Sequence, residues 1–200
     1  MNVNQYKFTG NDESYTYPYL IIPLIPFIEK FRKTKNIKNK KDLTIWCPFD
    51  LKEDMIYNGI KMFRSNYVDI FEKEGYNVVA SHIATGQNFF EYDPIEKWDI
   101  IISNPPFKNK KSFFERALSF NKPFAMVSMA SWLNDGGVYN VFKNKKLQLL
   151  MPNKRAKFFN ENGCIGNRPS FKSIYYCIDF LQDNDIQWFE LNEKINKEYK

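Results

Sequence analysis

The stretch Trp98-Asp99-Ile100-Ile101-Ile102-Ser103-Asn104-Pro105-Pro106-Phe107 constrains the fold more than any other part of the chain. Ile100 to Ile102 form an unbroken β-branched run, the pattern of a strand covered on both faces. Two prolines end the run, because neither can donate a ladder hydrogen bond. Asn104 is therefore expected just past the carboxyl end of a central strand, on the rim where open α/β sheets bind ligands. A residue before proline is kept out of the helical region. The tetrapeptide from Asn104 to Phe107 thus reads as a stiff, extended corner presenting an amide side chain, carbonyl groups and an aromatic ring.

Such a corner suits methylation of an exocyclic amino group. The lone pair of that nitrogen is delocalised into its ring and attacks poorly. The Asn104 carboxamide oxygen and the Pro105 carbonyl can each accept one N–H bond, drawing the nitrogen towards tetrahedral geometry. Catalysis of this kind rests on positioning and preorganised dipoles. No strong base is needed, because the alkylated nitrogen sheds its proton readily. Phe107 would stack on the flat face of the base. The competing structural reading is a proline turn in which Asn104 caps the following amides.

Two hundred residues suit one domain with a proper core, and 19 Phe with 12 Tyr offer a large apolar area to bury. The net charge of +6 is compatible with a nucleic-acid partner without establishing one. Cys47, Cys164 and Cys177 form no C-x-x-C pair and His82 is the only histidine, so no metal site is expected. An odd thiol count fits a reducing cytosol. The apolar run from Leu20 to Ile28 is short and interrupted by Pro23 and Pro26, which argues against a membrane span or membrane partner. A cytoplasmic protein is the expectation.

Residues 1–15 lack periodicity and read as a flexible arm, leaving 16–200 as one domain. Leu20 to Lys33 reads as a helix with Pro23 or Pro26 in its first turn, and Arg32 to Lys41 as a basic, solvated loop. Leu43 to Cys47 is the first strand. Residues 51–64 are compatible with one short helix. Ser65 caps a second helix carrying Tyr67, Ile70 and Phe71 inward, with Gly75 at its exit. Asn77 to Ser81 is the second strand, and the Asn104 strand follows. Ser112 and Glu115 have capping-box spacing, which predicts a helix from Phe113 to Phe120. Phe124 to Met129 is the next strand, and Asp135-Gly136-Gly137 reads as a turn. Lys146 to Met151 and Ser173 to Leu181 are two closing strands, read as an antiparallel pair. The alternation of strands and helices gives an α/β class with a mostly parallel central sheet.

Asn104-Pro105-Pro106-Phe107 at the end of a hydrophobic strand resembles the catalytic motif of S-adenosylmethionine-dependent amino-methyltransferases, chiefly those acting on adenine N6 in DNA. Thr16-Tyr17-Pro18, upstream of the first strand, is similar to the segment that closes over the methionine moiety in one motif order of that family. With Lys122-Pro123-Phe124, Leu147 to Lys154, Arg155 and Ser173 to Cys177, most of the chain resembles small phage-encoded adenine methyltransferases and their prophage relatives. The resemblance implies a Rossmann-like methyltransferase fold, with S-adenosylmethionine over the ends of the first strands. It implies cofactor contacts from Thr16, Tyr17 and Pro18, and from Cys47-Pro48-Phe49-Asp50, where Asp50 would bond the ammonium unless it is a turn cap. His82 would stand where family members place an acid on the ribose, although a histidine at a strand end is often structural. Asn88 would contact the adenine, with Phe89 packing on the ring or in the core. The family's glycine-rich loop has no counterpart here.

On the substrate side, Lys108, Lys110 and Lys111 follow the tetrapeptide directly, and Lys143 to Lys146 forms a second basic run. Either cluster can track phosphates or be merely solvated. Arg155 and Arg168 can grip phosphate with paired donors, and Phe158 or Phe159 can wall an extruded base. An adenine in a duplex cannot offer its amine in line, so a flipped base or a single strand is implied. DNA is the expected partner. Methylation of RNA or of a glutamine amide, and a catalytically silent binding module, are the competing readings.

Overall fold

The computed structural model describes residues 14–160, 162–164 and 172–197. In chain order its elements are β1 (Tyr15–Thr16), α1 (Pro18–Ile21), α2 (Ile25–Thr34), β2 (Thr44–Cys47), β3 (Met55–Tyr57), β4 (Ile60–Met62), α3 (Asn66–Lys73), β5 (Asn77–Ala80) and β6 (Ile100–Ser103). They continue with α4 (Lys110–Ser119), β7 (Phe124–Met129), α5 (Gly136–Phe142), β8 (Gln148–Pro152), β9 (Phe158–Asn160), β10 (Gly163–Cys164), β11 (Ser173–Ile178) and β12 (Ile186–Phe189).

The central sheet has seven strands in the order β12-β8-β11-β7-β6-β2-β5. Every neighbouring pair is parallel except the two made by β11, which runs against both β7 and β8. The class is α/β with a mostly parallel sheet, and the expected antiparallel pair of closing strands is β8 with β11.

Strand alternation divides the core in two. Ile45, Cys47, Ile100 and Ile102 point towards α1, α2 and α3, whereas Trp46 and Ile101 point towards α4 and α5. Ile100, Ile101 and Ile102 are each at most 1% exposed, as a strand covered on both faces requires. Each such side chain contributes about 2 kcal/mol by leaving water. The crossover from β2 to β5 therefore lies on one face and that from β6 to β7 on the other. The chain reverses its direction of travel across the sheet between β2 and β6, and that switch point creates a crevice at their carboxyl ends.

Several local readings need correction. Tyr15 is not part of a loose arm: it pairs with Phe159 in the small sheet β1-β9-β10, and its hydroxyl accepts from the Phe63 amide at 3.1 Å. Residues 51–64 are no helix but a hairpin of β3 and β4, turning at Asn58 and Gly59 with φ of 51° and 80°. Asn-Gly with both residues at positive φ is the strongest short hairpin signal a sequence carries, and it stood in plain view. Arg32 is not in a solvated loop. It belongs to α2, is 9% exposed, and its guanidinium binds the carbonyls of Ile37 and Lys38. The helix α4 starts at Lys110, so Ser112 lies inside it and cannot cap it. Asp135 is the N-cap of α5, accepting from the Gly137 amide at 2.8 Å. Among the described residues no helix is long and apolar enough to cross a membrane.

Candidate functional site

The carboxyl ends of β2, β5 and β6 meet around a cleft of about 830 Å³, counted to its open mouth. Pro48, Phe49 and Asp50 come to it from the turn after β2, His82 and Ile83 from the turn after β5, and Asn104 to Phe107 from the turn after β6. Ser14, Tyr15 and Thr16 join its wall, as do Asn88 and Phe89. The structure thus gathers most of the residues singled out by sequence into one crevice at the switch point.

Asn104 is held by an unusual pair of circumstances. Its Nδ2 donates to the backbone carbonyl of Ser14 at 3.0 Å, a bond spanning 90 positions of sequence. Its Oδ1 is buried and accepts no hydrogen bond in the structure. Pro105 beside it is buried, and Pro106 and Phe107 are half-buried. Phe107 meets Phe158 edge to face, with centroids 6.0 Å apart and planes at 76°. Phe158 is 3% exposed and does not line the cleft, so it backs Phe107 rather than facing an extruded base.

Asp50 is 8% exposed and accepts from two hydroxyls, Ser65 Oγ and Ser103 Oγ. Its own amide donates to the Ser81 carbonyl at 3.1 Å. Ser65 also caps α3, accepting from the Tyr67 amide at 3.1 Å, as its sequence position implied. The carboxylate is therefore fixed from two neighbouring elements. Aromatic rings build another part of the wall. Phe49 lies 4.8 Å from Phe89 and 5.1 Å from Phe113 between centroids, and Phe89 packs on Trp46 at 5.5 Å.

The charge of the lining is opposite in character to that of the chain. The protein carries 29 Lys and Arg, yet among the described residues none of them lines the cleft, whereas the carboxylate of Asp50 does. A carboxylate in such a lining favours a ligand that brings positive charge to it.

The remaining sequence candidates divide. Thr16, Pro48, His82, Asn88 and Phe89 line the cleft. His82 Nδ1 accepts from the Ala84 amide at 3.0 Å, which fixes the ring as the cap of a short turn. Asn88 Oδ1 accepts from the Phe90 amide at 3.2 Å, leaving its second lone pair for any further donor. Three residues lie away from the lining. Cys47 is fully buried in the core, where desolvation pushes its thiol well above the ordinary range. Tyr17 stacks on Tyr19 at 5.7 Å and packs against Phe159. Pro18 opens α1 and is buried there.

Of the cationic candidates, Lys108 is exposed, Lys110 sits over the Trp132 ring at 5.8 Å, and Lys111 pairs with Glu115 at 3.7 Å. Arg155 is exposed, and Arg168 lies outside the described residues. In the second basic run Lys146 is paired with Asp185 at 3.2 Å. Sequence reasoning missed Ser103, Tyr15, Phe63 and Phe113 as parts of the site. Ser103 carried a signal, since a hydroxyl ending an otherwise apolar buried strand needs a partner. No protein-family model and no curated protein matches the chain.

Proposed function

We propose that this protein transfers a methyl group from S-adenosylmethionine to the exocyclic N6 amine of adenine in DNA. The observation that carries the reading is Asn104 Oδ1, a buried acceptor without a donor in a residue that lines the cleft. An acceptor left open in this way costs about 1–3 kcal/mol. That cost is met when a bound amine supplies the missing hydrogen.

The residues present fit the cofactor. Its sulfur and its ammonium are both positively charged, and among the described residues the lining offers a carboxylate and no Lys or Arg. Asp50 would hold the ammonium, Phe49 and Phe89 would flank the adenine, Asn88 would meet the adenine edge, and His82 would face the ribose. Thr16 would close over the methionine end. When bound, S-adenosylmethionine supplies a methyl group that the amine nitrogen takes up while the C–S electron pair stays on sulfur. The mostly parallel sheet with its cleft at the switch point is compatible with a Rossmann-like methyltransferase fold.

The chain's own groups do the remaining work. Asn104 Oδ1 and the Pro105 carbonyl accept the two amine hydrogens and turn the nitrogen lone pair out of the ring plane. Phe107, steadied by Phe158, stacks on the base. The proton released by the alkylated nitrogen passes to water. A duplex adenine reaches Asn104 only when flipped out of its stack. Lys108 and Lys111, which follow the corner on the chain, would meet the flanking phosphates.

The test uses methyl-labelled cofactor, DNA, and nucleoside mass spectrometry. The wild type is expected to yield N6-methyladenine. Asn104→Ala is expected to lower the rate by about a thousandfold while calorimetry shows cofactor binding within about threefold of wild type. Label in RNA or in glutamine, or an equal rate in the variant, would overturn the assignment.

A further inference from the structure

We propose that the strap Ser14–Thr16 is a positioning element for catalysis, because the Ser14 carbonyl sets which end of the Asn104 amide is left for the substrate. The inference rests on the methyltransferase reading for its catalytic consequence, although the lock itself is a property of the protein alone. A backbone carbonyl has no hydrogen to give, so the Asn104 atom facing Ser14 at 3.0 Å must be the NH₂ group. Oδ1 is then the end that remains, and it is the end without a partner. An amide free to rotate would present donor and acceptor in turn, and only the acceptor can engage an amine hydrogen.

The strap is itself held at three points. Two of its three residues, Tyr15 and Thr16, pair with Phe159 and Phe158 of β9. The Tyr15 hydroxyl accepts from the Phe63 amide at 3.1 Å, and the Thr16 carbonyl accepts from Asn66 Nδ2 at 2.9 Å. The carbonyl that locks the amide therefore comes from an element separate from the Asn104 corner and held by its own contacts, which is what preorganisation requires. It follows that aspartate is not a conservative replacement at position 104. An ionised carboxylate is an adequate acceptor for an amine, but its second oxygen would face the Ser14 carbonyl with no hydrogen between them. Protonation restores a donor on that side.

The experiment pairs a kinetic profile with a measurement on the unmodified protein. Methyl transfer by Asn104→Asp and by wild type is followed from about pH 8 to about pH 5. Asp50, His82 and Tyr15 line the same cleft and are common to both proteins, so the ratio of variant to wild-type rate isolates position 104. The ratio is expected to be about a hundredth near neutral pH and to rise at least about tenfold as the pH falls. In isotope-labelled wild-type protein, one Asn104 Nδ2 proton is expected to be protected from exchange with or without cofactor. A ratio near unity at all pH values, or two Nδ2 protons exchanging at the solvent rate, would overturn the lock. A protected proton in a protein that methylates no adenine would sink the proposed function while leaving the lock in place.

Discussion

Ser103 Oγ donates to the carboxylate of Asp50, tying the residue just before Asn104 to the turn that follows β2 across the switch point. Ser65 Oγ donates to the other oxygen from the cap of α3. Three elements therefore converge on this carboxylate. Two hydroxyl donors use part of its acceptor capacity, and a carboxylate has about four lone-pair sites.

If Asp50 holds the ammonium of the cofactor, Asp50→Asn removes a charge-assisted contact worth about 1.5–3 kcal/mol. Binding of S-adenosylmethionine, followed by calorimetry, should weaken by about tenfold or more. Methylthioadenosine, which keeps the adenosine part and lacks the ammonium, should bind the variant nearly as well as wild type. Equal losses for both ligands would show that Asp50 only shapes the cleft.

Lys108 and Lys111 follow the corner from Asn104 to Phe107 on the chain, both on the surface, Lys111 within reach of Glu115. If each meets a phosphate, replacing both with alanine should reduce the slope of log K against log salt by about 2. Filter binding of an adenine-containing oligonucleotide across a salt series measures it. An unchanged slope would place the DNA path elsewhere.

Glu29 bears on stability rather than on the site. Its carboxylate accepts from Arg32 at 2.7 and 3.1 Å and from the Tyr76 hydroxyl at 2.7 Å, joining α2 to the entry of β5. The Arg32 bond, with help from Tyr76, holds its carboxyl at about 2 against an ordinary 4.5, despite partial burial. A depressed folded value means the stabilisation is complete above pH 4.5 and is lost as the pH falls towards 2. Discounted for solvent screening, the loss amounts to about 2 kcal/mol. Denaturant titrations of wild type and Glu29→Gln should diverge above that window and converge below it. Parallel pH dependence in the two proteins would refute the linkage.

The parts of the fold governed by local pattern were legible. The Ile100 to Ile102 run announced a doubly covered strand, and Ser65 announced a cap, because burial and capping leave direct marks on residue type. The parts governed by distant contacts were not. Nothing near Tyr15 says that it pairs with Phe159, since that register is set by a partner 144 positions away. Ser112 and Glu115 have the spacing of a capping box, but the chain enters α4 earlier, through Asn109 in the left-handed region. At the site, the corner from Asn104 to Phe107 was visible as a motif. The lock from Ser14 was not, because a backbone carbonyl is the same at every position.

The most direct test of the account is a crystal structure with S-adenosylmethionine bound. The cofactor is expected in the cleft with its ammonium on Asp50, and its methyl carbon turned towards the space beside Asn104 Oδ1, about 3–4 Å from where an amine held there would sit. A cofactor bound elsewhere, or one whose sulfur faces away from Asn104, would contradict it.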